Sequence, residues 1–299
     1  MRRRTRKGTT DKIDQDILWW NSLDVIWKEE LISNLLQSRD YNDKGFSKND
    51  IFEKIKESNQ LITEIVNLKK LDISRKVLSD LSPIYYLKDI DEFHIFEPDW
   101  QDPDAKQVLE LYPKYLRSKV KRLNLDGIPL GELTPYSDFT IFEDFINLES
   151  LEIQSCHFKS LSGIEKLTKL KSLMGGMNNN FSDLNPLRKL PLRYLDLEWT
   201  QVRDISPLID VPTLDYLNLN YLNDINDFSV LLHLPNLKTV IFTGWKEVKA
   251  IELKDYLMKN YSTNKYGRIT ISLSNKKVGN WNNHTLNLSG DESCDNLPF

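Results

Sequence analysis

The hydrophobic positions of this chain repeat at one spacing. Leu192, Leu195 and Leu197 place apolar side chains at intervals of three and two, and Leu214, Leu217 and Leu219 repeat those intervals at a step of 22. Two apolar residues two apart on a short strand face the same side. Leu195 and Leu197 therefore point inward together while Asp196 faces the other way. Between the two copies lies Asp204-Ile205-Ser206-Pro207-Leu208. It predicts a helix or 3₁₀ start, with Ser206 as the cap and Pro207 at the first helical position, where a missing N–H costs nothing. Leu208, Val211 and Leu214 then turn back toward the same interior. The segment recurs as Asp80-Leu81-Ser82-Pro83-Ile84 and Asp183-Leu184-Asn185-Pro186-Leu187, and without proline as Asp227-Phe228-Ser229-Val230-Leu231.

Counting outward from this stretch gives nine strand cores: Leu71/Ile73, Phe93/Ile95, Leu123/Leu125, Leu151/Ile153, Leu173, Leu195, Leu217, Val240/Phe242 and Ile269/Ile271. The steps between them are 22, 30, 28, 22, 22, 22, 23 and 29. One such coil cannot bury its own apolar side chains, but stacked coils share a continuous core. Laid side by side at about 4.8 Å, nine strands span roughly 40 Å. The L-x-x-L-x-L core at this period identifies a leucine-rich repeat. The period of 22 and the D-I-S-P-L segment resemble the bacterial internalin type. The resemblance implies an α/β fold: a right-handed solenoid, a parallel concave sheet of about nine strands, and helices or 3₁₀ turns on the convex side. In this family the Thr200 position is usually Asn or Cys, whose side chain satisfies backbone groups at the turn. Cys156, three residues after Ile153 as Thr200 is three after Leu197, takes the same place.

The flanks read differently. Residues 1–10 are expected to be a disordered basic tail and 11–66 a helical N-terminal cap. Ile13 to Gln37 reads as one helix, with Ile17, Trp20, Leu23, Ile26 or Trp27, Leu31 and Leu35 recurring at three and four. Trp19-Trp20-Asn21-Ser22-Leu23 followed by Trp27-Lys28 resembles a helical leader found before leucine-rich repeats in some Bacteroidetes proteins. Bulky aromatics on an amphipathic helix suit the end of a solenoid, which must be covered. Ser47 to Ser58 is a second helix, with Ser47 as its cap and Asp50 in its first turn. The solenoid is expected over 67–275, with insertions at 97–119 and 127–147. The first carries a short helical run near Val108 to Tyr112. The second carries a longer helix with Phe139, Phe142 and Phe145. Val248 to Asn260 reads as a closing helix, and 276–299 as a loose polar tail.

Composition narrows the function. The 299 residues carry a net charge of −4 and a pI near 5.7, so no global basic field points to nucleic acid. No apolar run is long enough for a membrane span. Asp11, Asp14 and Asp16 follow the basic start where the apolar part of a secretory signal would be, so a cytoplasmic protein is expected, monomeric on its own. A chain whose signal had been removed would read the same. Two cysteines, Cys156 and Cys294, make no disulfide framework. His94, His157, His233 and His284 have no metal-ligand spacing. Asp99, Asp102 and Asp104 lack the glycine and terminal glutamate of a calcium loop. Gly175-Gly176 lacks the lysine of a phosphate loop. Asn283-His284-Thr285 and Asn287-Leu288-Ser289 match the glycosylation sequon, but nothing else points to secretion. No metal, cofactor or catalytic residue is expected. Cys156 has His157 beside it, yet adjacent side chains diverge and the repeat register already accounts for the cysteine.

Residues alternating with the buried pairs must face outward from the inner sheet. They include Asp72, His94, Asn124, Glu152, Met174, Asp196 and Asn218. Aromatic and acidic groups concentrate in two consecutive coils: Tyr194, Asp196, Glu198 and Trp199, then Tyr216, Asn218, Asn220 and Tyr221. Trp245 extends the set into the next coil. Tyrosine and tryptophan dominate binding hot spots. The expectation is a non-enzymatic scaffold, an adaptor, inhibitor or immunity protein, that binds another protein of basic or mixed charge on this face. The alternatives are an accessory subunit of an enzyme complex and a carbohydrate or surface binder.

Overall fold

Each of the nine strand cores counted from the sequence has its first residue in a strand of the computed structural model, with Leu125 and Ile153 one residue past the ends of theirs. The structure describes residues 5–37, 45–74, 80–87, 89–96, 114–128, 130, 138–243, 256, 259, 269–277 and 280–288. The chain divides into two compact units, Met1–Leu125 and Asp126–Phe299. The division falls inside the step from Leu123 to Leu151, where the repeat departs from its period.

The first unit opens with four helices: α1 (Thr5–Ser22), α2 (Val25–Gln37), α3 (Lys48–Glu57) and α4 (Gln60–Val66). Residues 5–10, expected to be disordered, are helical. The single helix expected from Ile13 to Gln37 is two, because the Asp24 carboxylate accepts the Trp27 N–H at 2.8 Å and starts a new helix there. Ser47 and Asp50 form a reciprocal capping box at the start of α3. Three parallel strands follow, β1 (Lys70–Ser74), β2 (Glu92–Phe96) and β3 (Arg122–Asn124), with Leu71 opposite Phe93 and Phe93 opposite Leu123. The one-turn helix α5 (Lys114–Arg117) precedes β3. The expected helical run near Val108 lies outside the described residues.

Helix α2 closes the open side of β1. Its Asn34 behaves as a strand would: Oδ1 accepts the Asp72 N–H at 2.6 Å and Nδ2 donates to the Asp72 carbonyl at 2.7 Å. Glu30 accepts the Ser74 N–H, and the Trp27 indole donates to the Asp80 carbonyl at 2.9 Å. Trp20, Leu23 and Trp27 are all buried, as a cap over the first coil requires. Trp19 stacks on Tyr86 at 4.8 Å, and the Tyr86 hydroxyl donates to the buried Asp16 at 2.8 Å.

The second unit carries β4 (Ser150–Glu152), β5 (Ser172–Met174), β6 (Tyr194–Asp196), β7 (Tyr216–Asn218), β8 (Thr239–Thr243), β9 (Ile269–Lys277) and β10 (Asn280–Leu288). From β4 to β9 the strands are parallel and in chain order, and Leu151, Leu173, Leu195, Leu217, Val240 and Ile271 stand in one line. Val240 is opposite Ile271 rather than Ile269, so the last step is longer than the sequence count. β10 pairs antiparallel with β9, where a loose tail over 276–299 was expected. Only Val278-Gly279 separates the two strands, a connection short enough for a hairpin, and pairing satisfies the backbone groups that an edge strand leaves open. The expected closing helix near Val248 lies outside the described residues, apart from isolated positions 256 and 259.

On the return side of each coil run 3₁₀ turns, such as Asn185–Leu187, Ser206–Asp210 and Ser229–His233. The turn starts at Ser206, expected to be its cap, so Pro207 is its second residue and not its first, and the carboxylate that holds the turn's first N–H is that of Asp204. Its carboxylate accepts the Ser206 N–H at 2.8 Å, and Asp183 and Asp227 do the same for Asn185 and Ser229. An aspartate two residues ahead of the N–H makes an Asx turn, which suits a tight 3₁₀ start better than a hydroxyl cap. Leu208, Val211 and Leu214 are fully buried. Among the described residues of 127–147, where a longer helix was expected, the helical part is the single turn Phe139–Phe142. Phe139, Phe142 and Phe145 are all buried, and their spacing of three is compatible with the 3₁₀ period of that turn.

Candidate functional site

Lateral register builds the site. Because β6 and β7 pair with Tyr194 opposite Tyr216, the two rings stack at 4.3 Å and 6°. Burial pushes both hydroxyls to higher pKa. At Tyr194, donation to Tyr216 and the nearby carboxylates Asp196 and Glu152 add to that; at Tyr216, Asp196 and Glu198 do. Backbone pairing continues past the strands: Leu197 N–H donates to Asn218 O at 3.0 Å and Trp199 N–H to Asn220 O at 3.2 Å.

There the chain turns a corner. Ser155, Met177, Trp199 and Tyr221 hold the same place in four successive coils, and their φ angles are 57°, 58°, 55° and 61°. This left-handed conformation costs an L-residue about 1–2 kcal/mol. Three large side chains are nonetheless kept at the corner and turned outward. Met177 is 45% and Trp199 48% exposed. Trp199 and Tyr221 stack at 4.3 Å and 23°.

The polar members of the site are not where alternation alone would put them. Asp196 and Asn218 are buried, at 4% and 5% exposure. The Asp196 carboxylate accepts the Glu198 N–H at 2.9 Å. Burial raises its pKa more than this bond and one with Asn218 lower it, and the Glu198 charge adds to the rise. Asp196 is thus an internal brace of the corner, not the exposed charge expected for a partner to meet. Gly176, alongside, leaves room for it: a Cβ there would meet Asp196 Oδ1 and the Glu198 carbonyl at 3.2 Å. Asn218 Oδ1 accepts the Asn220 N–H at 3.0 Å. Asn218 Nδ2 donates to Glu198 Oε2 at 3.2 Å, and Asn220 Nδ2 does so at 3.5 Å. Glu198 and Asn220 are half-buried. The structure therefore brings together Tyr194, Asp196, Glu198, Trp199, Tyr216, Asn218, Asn220 and Tyr221, while Trp245 lies outside the described residues.

One residue inside the turn carries most of its hydrogen bonds and was missed in the sequence. Asn178 is fully buried. Its Nδ2 donates to the Ile153, Gly175 and Gly176 carbonyls at 2.8, 2.9 and 3.2 Å, and its Oδ1 accepts the Phe158 N–H at 3.1 Å. It stands midway between Cys156 and Thr200, one full period from each, and that spacing would have found it. Thr200 Oγ1 donates to Leu197 O at 2.8 Å, and Cys156 fills the same place beside Gln154 O. Burial, with Asp126 nearby, pushes the Cys156 thiol far above the ordinary cysteine value, so it stays protonated and is a poor nucleophile.

The sheet face of the first unit is charged differently. Asp72 is buried between Lys70 Nζ at 2.9 Å and His94 Nδ1 at 3.1 Å. Burial pushes its carboxyl up, but these two partners outweigh it and hold the carboxyl below the usual range. Glu92 meets His94 at 3.3 Å and Lys70 at 3.9 Å. Among the described residues no group of three or more His, Cys, Asp or Glu side chains is placed to hold a metal ion, and no helix is long and apolar enough to cross a membrane.

One strand per coil, an open parallel sheet and 3₁₀ returns around a shared leucine core define a leucine-rich repeat solenoid of the α/β class. Among solved structures it is similar to an internalin of Listeria monocytogenes, at 20% identity and a TM-score of 0.49, over 83% of this chain and 64% of that one. It is also similar to internalin C2 of the same organism, at 21% identity and a TM-score of 0.40, over 64% of this chain and 75% of that one. A leucine-rich repeat protein of Leptospira interrogans matches at 20% identity and a TM-score of 0.42, over 60% of this chain and 50% of that one. No protein-family model matches the chain, and no curated protein matches it.

Proposed function

We propose that this protein is a non-enzymatic recognition scaffold that holds a second protein against the outward face of β6 and β7 and the corner beside them. The observation that carries this reading is the pair of ring stacks, Tyr194 on Tyr216 and Trp199 on Tyr221. Aromatic rings already ordered against each other lose little freedom when a partner covers them. Such rings, fully desolvated, carry most of the binding energy of protein interfaces. The protonated, buried thiol of Cys156 supports a role without covalent chemistry.

The test is quantitative co-purification of the full chain from its source cells, comparing wild type with Tyr194→Ala and Tyr216→Ala. Lys189→Ala, an exposed residue on the return side of the coil, serves as control. Each tyrosine variant, with its fold checked by circular dichroism, should reduce the captured partner's affinity by about tenfold or more. Equal capture by the tyrosine variants, or loss with Lys189→Ala alone, refutes this face as the site.

A further inference from the structure

Charge is distributed unevenly over the second unit. Glu143 is paired with Lys166, Glu149 with Lys171, Asp210 with Arg188, Asp215 with Arg193, and Asp224 with Arg203. All of these pairs lie in residues that flank the strands or in the return turns and loops. At the corner of β6 and β7, by contrast, neither Asp196 nor Glu198 meets a Lys, Arg or His among the described residues. On the sheet face of the first unit, Asp72 and Glu92 are both matched by cations. Glu198 is also held for a purpose its own fold does not use. Both of its hydrogen bonds, from Asn218 Nδ2 and Asn220 Nδ2, run to Oε2. Oε1 takes none from the described residues. Two amides fix the carboxylate through Oε2, and among the described residues Oε1 is open to a donor from a partner.

Immediately after Glu198 in the chain stands Trp199, half exposed and stacked on Tyr221 on one side. A carboxylate and an exposed indole at consecutive positions of one corner match one chemical group better than any other. A guanidinium is planar, donates two parallel N–H groups to a carboxylate, and stacks on aromatic rings while staying charged. A lysine ammonium satisfies only the charge. We infer that the corner formed by Glu198, Trp199 and Tyr221 is an arginine pocket, in which the protein partner inserts one arginine side chain, its guanidinium on the Trp199 ring and its N–H groups on Glu198. This rests on the recognition role proposed above and specifies its chemistry.

The backbone supplies an unusual control. Trp199 sits at φ 55°, a conformation that glycine adopts without cost, so Trp199→Gly deletes the ring while suiting the turn. Glu198→Gln keeps an acceptor for Asn218 and Asn220 but removes the charge. The experiment selects phage-displayed random peptides on the immobilised full chain, with counter-selection on the Trp199→Gly chain. Selected peptides are then synthesised with arginine or with neutral citrulline in its place. The expected result is a shared arginine. Affinity should fall about tenfold or more for the citrulline peptide, for Glu198→Gln and for Trp199→Gly, and should weaken with added salt. Peptides that share lysine or no cation, or that bind Glu198→Gln as tightly as wild type, overturn the arginine assignment and leave protein recognition at this face standing. A pool that never enriches, while the cellular partner is still captured through Tyr194 and Tyr216, overturns it as well.

Discussion

Asp196 shows how far a residue's environment can depart from its sequence position. Alternation along the strand correctly placed it opposite the leucines, but alternation sets direction and not depth. Its burial comes from the corner that follows, where the Glu198 N–H and Asn218 fold over it. An Asp196→Lys substitution would therefore disturb the fold before it altered any encounter with a partner. The raised pKa has a definite sign. As pH rises past the ordinary value of 3.8, the unfolded chain loses this proton before the folded one does, so stability falls until Asp196 itself ionises. Asp196→Asn keeps an acceptor and never ionises. It is expected to match wild type near pH 3 and to be more stable than wild type at pH 7. Urea unfolding at both pH values checks this, and a wild type that is the more stable at pH 7 refutes the burial cost. Asn178, by comparison, was legible by counting alone. Cys156 and Thr200 are two periods apart, and the position midway had to belong to the same turn.

Among the elements, α2 has the clearest task. A first strand has no neighbour on one side, and its open N–H and C=O groups invite association with other chains. Asn34 answers that with a single side chain that both donates to and accepts from Asp72. Asn34→Ala should cost about 2–3 kcal/mol, because two buried backbone groups lose their partner, and should raise light scattering at temperatures well below the main transition. Unchanged melting and scattering would show that water replaces the amide without loss. The aromatic spacing of this cap was readable in the sequence, and Trp20, Leu23 and Trp27 are buried as it requires. The break between α1 and α2 was not inferred, although Asp24 announces it, because the apolar period runs through the break. For the same reason the three phenylalanines after Asp138 suggested a longer helix. A spacing of three is shared by both helix types, and only the Asp138 cap and the single turn it starts decide between them.

Across the whole chain, one-dimensional order means that damage spreads to neighbours first. Leu195 is fully buried between Leu173 and Leu217. Leu195→Asp puts an unpaired charge there, so amide hydrogen exchange should show protection lost chiefly in β5, β6 and β7. Intact protection at Leu173 and Leu217 would contradict the stacking that the period predicts. That period made the strands legible from Leu71 to Ile271, and it failed where it was broken: at the division after Leu125 and in the β9–β10 hairpin, whose pairing is local and owes nothing to a repeat.

Several lateral bonds of the regular coils span one whole period. Arg193 N–H donates to the Lys171 carbonyl and Asp215 N–H to that of Arg193, one period apart each time, and the ion pairs Lys171–Glu149 and Arg193–Asp215 keep the same interval. Gain or loss of one whole period conserves every one of these partnerships. A gain or loss of any other length keeps them only where the difference falls in the connection between strands, as in the 30-residue step across which the Lys121 N–H still donates to the Asp91 carbonyl. Within the regular coils length therefore changes most simply by whole periods, and tandem duplication can carry the Glu198–Trp199 corner nearer to or farther from either end without redesigning it.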